Sequence, residues 1–281
     1  MPDIARHAEL SQKLDYTDLD WDHAVRVGLS DREKRILPYF ADVEGQTLFY
    51  MVEALKLKPA RTPENMGFIA IWSYEEFFHS RAIGKLLEAC DCTSDPGRIA
   101  QVRRNVTFRN KLEDMIQVVL SRLFPRAFVA LWMMWGASQE ALTLRGYQAL
   151  AESTPNPVLR ELCLRIAKQE RRHFAYYYSA ARERLGQSRF SQRFTRFIFE
   201  RLWTPVGAGV KTKEEVARVI GELFPGEALP RVFGATDARL AKLPGMEGFK
   251  VMSRYADSIQ ELLPPECRYV PATSDPASES A

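Results

Sequence analysis

The sequence is short of cysteine and histidine, with 4 of each in 281 residues. Cys90, Cys92, Cys163 and Cys267 form no CxxC pair and are too sparse for a disulfide scaffold. They set the expectation of free thiols in a reducing cytoplasm. Long apolar runs are also missing. The opening stretch MPDIARHAELSQKLDYTDLD is polar and unlike a signal peptide. The most apolar run, AFVALWMMWGA, covers only 127 to 137, against the roughly 20 residues that a membrane span requires. Charge of one sign is scarce: 39 Lys and Arg against 36 Asp and Glu leave +3, too little bias for a nucleic-acid binder. Strand-like alternation is rare, and no nucleophile motif is present.

What is there is helical periodicity, bounded by breaks at KPARTP, CDCTSDPG and STPNPV. After a polar arm of about 1–35, Pro38 marks a helix start, and that helix runs to about Leu57. Thr62-Pro63-Glu64 caps a second helix that reaches about Ala89. A third stretch covers roughly 98–123, a long helix follows from Pro125 to about Glu152, and another runs from Val158 to about Leu185. Shorter helices are expected at 188–203, 212–223 and 247–263. The expectation is one all-α domain over 1–264, with a disordered Pro/Ser-rich tail over 265–281.

Two helices carry the same interruption of an apolar seam. Steps of three and four residues give Ile69, Trp72, Glu76, His79, Ile83 and Leu86 on one, and Leu159, Cys163, Ile166, Glu170, His173 and Tyr177 on the other. A buried Glu needs a compensating partner. Glu and His at i and i+3 share a helical face, so both can point at one cation. The helix from Pro125 has Glu140 as the sole acid on its seam, and the first helix has Glu44 between Ala41 and Leu48. The order Glu, Glu-x-x-His, Glu, Glu-x-x-His is that of a di-metal carboxylate site inside a four-helix bundle. Buried salt bridges to Arg171 or Arg172 are the competing account, but they do not explain the repeated pattern.

Other residues have blander readings. Asp42 and Glu53 lie off the Glu44 seam and suit a solvated face. Glu75 is either exposed or orients a histidine. His7 and His23, in the polar arm, read as surface residues, and Trp132 and Trp135 as core. ARERLGQSRFSQRFTRFIFER, at 181–201, reads as an amphipathic helix with a solvated basic face, or as a dock for an acidic carrier protein.

The motifs WSYEEFFH, KQERRH and SQEALT, within about 38–186, resemble those of the ferritin-like di-iron carboxylate enzymes, and most closely the soluble acyl-acyl carrier protein desaturases. The resemblance implies a ferritin-like four-helix bundle elaborated by C-terminal helices. Glu44, Glu76, His79, Glu140, Glu170 and His173 would hold two irons, or manganese in one position, with Glu76 and Glu170 bridging. Thr143 would be the hydroxyl beside the oxygen site. It further implies molecular oxygen as oxidant, a ferredoxin-like electron donor, an acyl carrier protein and a homodimer. Two departures stand out: Gln169 replaces the family's Asp, and Phe77 and Phe78 replace polar residues. A related di-iron monooxygenase acting on a small metabolite and a non-catalytic iron-binding protein are the alternatives.

Overall fold

The computed structural model describes residues 4–57, 61–92 and 118–269, and among these the chain is helical, with no strand. The helices are α1 (Ile4–Leu10), α2 (Trp21–Val27), α3 (Asp31–Lys56), α4 (Pro63–Ala89), α5 (Pro125–Ser153), α6 (Pro157–Gly186), α7 (Arg189–Leu202), α8 (Lys213–Leu223), α9 (Ala228–Leu240) and α10 (Val251–Ser258). The helix expected at 98–123 falls mostly outside the described residues, apart from a helical turn over 118–123. No helix among the described residues is long and apolar enough to cross a membrane.

Capping chemistry sets where the long helices begin. Ser30 accepts the Glu33 N–H while the Glu33 carboxylate accepts the Ser30 N–H at 2.7 Å, a reciprocal cap. Helix α3 therefore starts at Asp31, and Pro38 sits inside it rather than opening it. One missing internal hydrogen bond is tolerated there because the flanking apolar residues Ile36, Leu37, Tyr39 and Phe40 are buried. Thr62 caps α4 through the Asn65 N–H. Asn156 caps α6 through the Val158 and Leu159 N–H groups. Its side-chain amide also donates to Ala24 O and Gly28 O at 3.0 and 2.9 Å, tying the end of α2 to the start of α6.

Helices α3 and α4 pack as one pair and α5 and α6 as another, with α4 against α6 where the pairs meet. Gly136 on α5 lets α6 come close: a Cβ there would enter the Tyr177 ring. Helix α7 lies on α5, with Ser191, Thr195 and Phe199 turned inward. One apolar core runs through the described residues from Leu14 to Tyr269.

Three boundaries differ from the sequence-based expectation. The polar arm contains α1 and α2, which pack on α4. Helix α9 went unassigned from sequence. The tail does not begin at 265: Pro265–Cys267 forms a helical turn, Cys267 and Tyr269 are buried, and Cys267 lies beside Gly221 of α8. Residues 270–281 lie outside the described residues.

Helix α10 has no side-chain cap of its own. The buried Asp237 of α9 supplies one, accepting from Met252 N at 3.0 Å, Ser253 N at 2.8 Å and Ser253 Oγ at 2.7 Å. Asp237→Ala leaves those donors unmet and is expected to cost about 1–3 kcal/mol in urea unfolding. A loss below a few tenths of a kcal/mol would contradict this capping role.

Candidate metal centre

Each of the four long helices delivers its seam acid to one point. Glu44 comes from α3, Glu76 and His79 from α4, Glu140 from α5, and Glu170 and His173 from α6, and all six are buried. They form two groups whose donor atoms lie within 4.8 Å of one another: Glu44, Glu76, His79 and Glu170, and Glu76, Glu140, Glu170 and His173. Glu76 and Glu170 belong to both. Their oxygens divide accordingly. Glu76 Oε2 lies 3.2 Å from His79 Nδ1, and Oε1 lies 3.1 Å from His173 Nδ1. Glu170 Oε1 lies 3.1 Å from His79 Nδ1, and Oε2 lies 3.4 Å from His173 Nδ1. Each shared carboxylate thus turns one oxygen toward each histidine.

No family model, curated protein or solved structure matches this chain.

The donor set fits divalent cations on two grounds. First, both Glu170 oxygens and His173 Nδ1 are fully buried without a hydrogen-bond partner. Such orphaned groups are costly unless something satisfies them, and a cation between them does so. Second, the charge balances. Burial pushes the Glu44 and Glu140 carboxyls well up, and the facing Glu76 and Glu170 carboxylates push them further. Burial alone would raise Glu76 and Glu170 as well, but close contacts with their neighbours, the histidines among them, hold both low. Burial alone would lower the histidines. The surrounding carboxylates overcome it, raising His79 to about 10 and His173 well above its usual value. Taken by themselves, then, the six side chains are neutral when Glu44, Glu140 and both imidazoles carry protons. Two divalent cations replacing those protons give the same neutrality.

An outer layer fixes each donor. Trp72 Nε1–H donates to Glu140 Oε1 at 3.0 Å, and the Tyr147 hydroxyl donates to Glu44 Oε1. His79 Nε2 lies 2.7 Å from Gln169 Oε1, and His173 Nε2 lies 2.7 Å from Glu75 Oε2. Gln169 uses its amide nitrogen on Gln12 O at 2.8 Å, so its oxygen faces His79 and accepts from Nε2–H. Burial alone would raise Glu75, but hydrogen bonding and charge from His173, together with Arg172 and the Gln12 N–H, hold it at about 2. As an anion it accepts from His173 Nε2–H. Both histidines therefore turn Nδ1 toward the shared carboxylates at the centre, the atom that each would offer a cation. The bracing crosses over: the residue before each shared glutamate holds the other helix's histidine.

Of the two readings of Glu75, the orienting one holds: it is fully buried and lies against His173 Nε2. Several other expectations need correction. His7 is 7% exposed and packs against the stacked Phe68 and Tyr176 rings, with ring centroids at 5.3 and 5.2 Å. Burial lowers its pKa to about 4. Asp42 is not on a solvated face but is buried against Lys211 Nζ at 2.7 Å. Phe77 is 38% exposed, and the half-buried Phe78 ring lies beneath Lys13 Nζ at 5.0 Å. Trp132 is core, as expected, with its Nε1–H on Tyr50 OH at 2.7 Å. Thr143 is half-buried one turn beyond Glu140, and its hydroxyl makes no hydrogen bond among the described residues. Cys90 and Cys92 join no donor group among those residues.

Proposed function

We propose that the chain is a di-iron, or manganese–iron, oxygen-dependent oxidoreductase of ferritin-like four-helix architecture, and that its reaction is desaturation of an acyl chain carried on an acyl carrier protein. The observation that carries the metal reading is the pair of buried donor groups sharing Glu76 and Glu170. The resemblance of the motif stretches to the desaturases narrows the reaction. Two irons held there, fed electrons by an external donor such as a ferredoxin, would supply oxygen activation and the oxidising power to remove hydrogen from an unactivated C–H bond.

The chain's own residues do the rest. Glu76 and Glu170, common to both donor groups, would be shared between two cations, with Glu44 and His79 completing one position and Glu140 and His173 the other. Tyr147 and Trp72 hold the Glu44 and Glu140 carboxylates in place through their hydrogen bonds. Phe68, Ile69, Ile83, Met133 and Ile166 are fully buried on the same helices α4, α5 and α6, an apolar setting that would keep water from the cluster. Thr143 is the proposed hydroxyl beside the oxygen site.

The carrier has a matching surface. Arg189, Phe190, Arg193, Phe197 and Arg201 are exposed along α7, with the Arg201 guanidinium over the Phe197 ring at 3.9 Å. A basic stripe with apolar anchors suits an acidic protein.

Mass spectrometry of a single turnover with acyl carrier substrate, oxygen and reductant tests the reading. Loss of two hydrogens is expected. Gain of one oxygen would establish a monooxygenase instead, and an unchanged acyl chain in an iron-loaded protein would remove the reaction. Charge reversal at Arg189, Arg193 and Arg201 together is expected to raise KM for the carrier-bound substrate about tenfold at low salt, leaving metal content unchanged.

A further inference from the structure

The polar N-terminal segment reaches the centre through its main chain. Gln12 N–H donates to Glu75 Oε1 at 3.1 Å, and Gln12 C=O accepts from Gln169 Nε2 at 2.8 Å. One residue therefore holds both histidine partners, one on α4 and one on α6. Glu75 Oε1 also accepts from Ser11 Oγ at 3.1 Å and Arg172 Nη2 at 2.7 Å, which leaves Oε2 to His173.

The two partners are chemically unequal. His173 donates to a carboxylate held by Ser11, Gln12 and Arg172, whereas His79 donates to a neutral amide. A carboxylate acceptor makes the imidazole a stronger donor to a metal, and an amide oxygen adds orientation without charge.

We propose that Ser11 and the Gln12 main chain are positioning groups for the metal centre, and that through Glu75 they make the Glu76–Glu140–Glu170–His173 position the tighter of the two. The inference rests on the di-metal reading above. A segment that merely packed onto α4 and α6 would affect both positions alike.

The full chain is titrated with Co²⁺, followed by calorimetry and by the ligand-field bands of the bound ion. Two steps at least about tenfold apart are expected, and His79→Ala is expected to remove only the weaker. Glu75→Gln is expected to weaken the tighter step by roughly 10- to 100-fold, and Ser11→Ala by about three- to tenfold, the weaker step holding its place in both. Circular dichroism melts check that each variant is folded. Two equal steps in the unaltered chain, loss of the tighter step in His79→Ala, or equal weakening of both steps in Ser11→Ala would overturn the proposal. Absence of any Co²⁺ binding would be a different failure, removing the di-metal reading and this inference with it.

Discussion

Glu170→Gln is expected to empty both metal positions, while Glu140→Gln and Glu44→Gln each empty one. Metal analysis after loading and desalting should find about two ions per chain in the unaltered protein, about one in either single-position variant, and close to none in Glu170→Gln. The pattern follows from Glu170 lying in both donor groups, with one oxygen toward each histidine, whereas Glu44 and Glu140 each belong to one. Glutamine keeps the volume of the side chain, so a cavity does not confuse the result. A buried ion-pair network makes another prediction. Removing Glu170 would leave His79 and His173 short of a counter-charge and destabilise the fold, but no graded ion count would appear. Equal metal contents across the three variants would contradict the shared-carboxylate geometry.

Loading is also expected to release protons, up to about four per chain for two divalent ions. Raised pKa values at Glu44, Glu140, His79 and His173 favour the protonated form of each side chain. A cation needs the same carboxylates ionised and the same imidazoles neutral, so it must displace those protons. Apparent affinity therefore climbs as pH rises toward 10, the value to which His79 is raised, and falls as pH drops. Calorimetry in buffers of different ionisation enthalpy counts the protons directly. Release below about one proton per chain would mean that the cluster does not hold them as its electrostatics require.

The donors were legible from sequence because each had to break an apolar seam, and a lone acid buried on such a seam demands a compensating charge. Their outer partners were not. Glu75 and Gln169 precede a shared glutamate and lie about 100° around the helix from it, so their burial depends on what another helix brings. For both, one partner is the main chain of Gln12, outside any helix and more than 60 residues earlier in sequence. Asp42 was misplaced for the same reason: its partner Lys211 is 169 residues away. His7 sits in a segment whose composition reads as solvated, and only Phe68 and Tyr176 make its pocket apolar. The start of α3 is a different kind of miss. Ser30 and Glu33 spell a capping box in the sequence itself, two turns ahead of the more conspicuous Pro38. Helix α9 also left a trace, with Leu229, Phe233 and Leu240 at helical spacing, interrupted by Pro230 close to its start.

The division of donors between the helix pairs has a consequence for how the molecule assembles. Each pair carries three donors for one position and borrows a single carboxylate from the other: α3 and α4 borrow Glu170, and α5 and α6 borrow Glu76. Neither hairpin can complete a site alone, and neither can lend its carboxylate without receiving one. On the di-metal proposal, metal capture and the docking of the two hairpins would be a single reciprocal exchange, and ions that favour the assembled centre would also favour the join between the two halves.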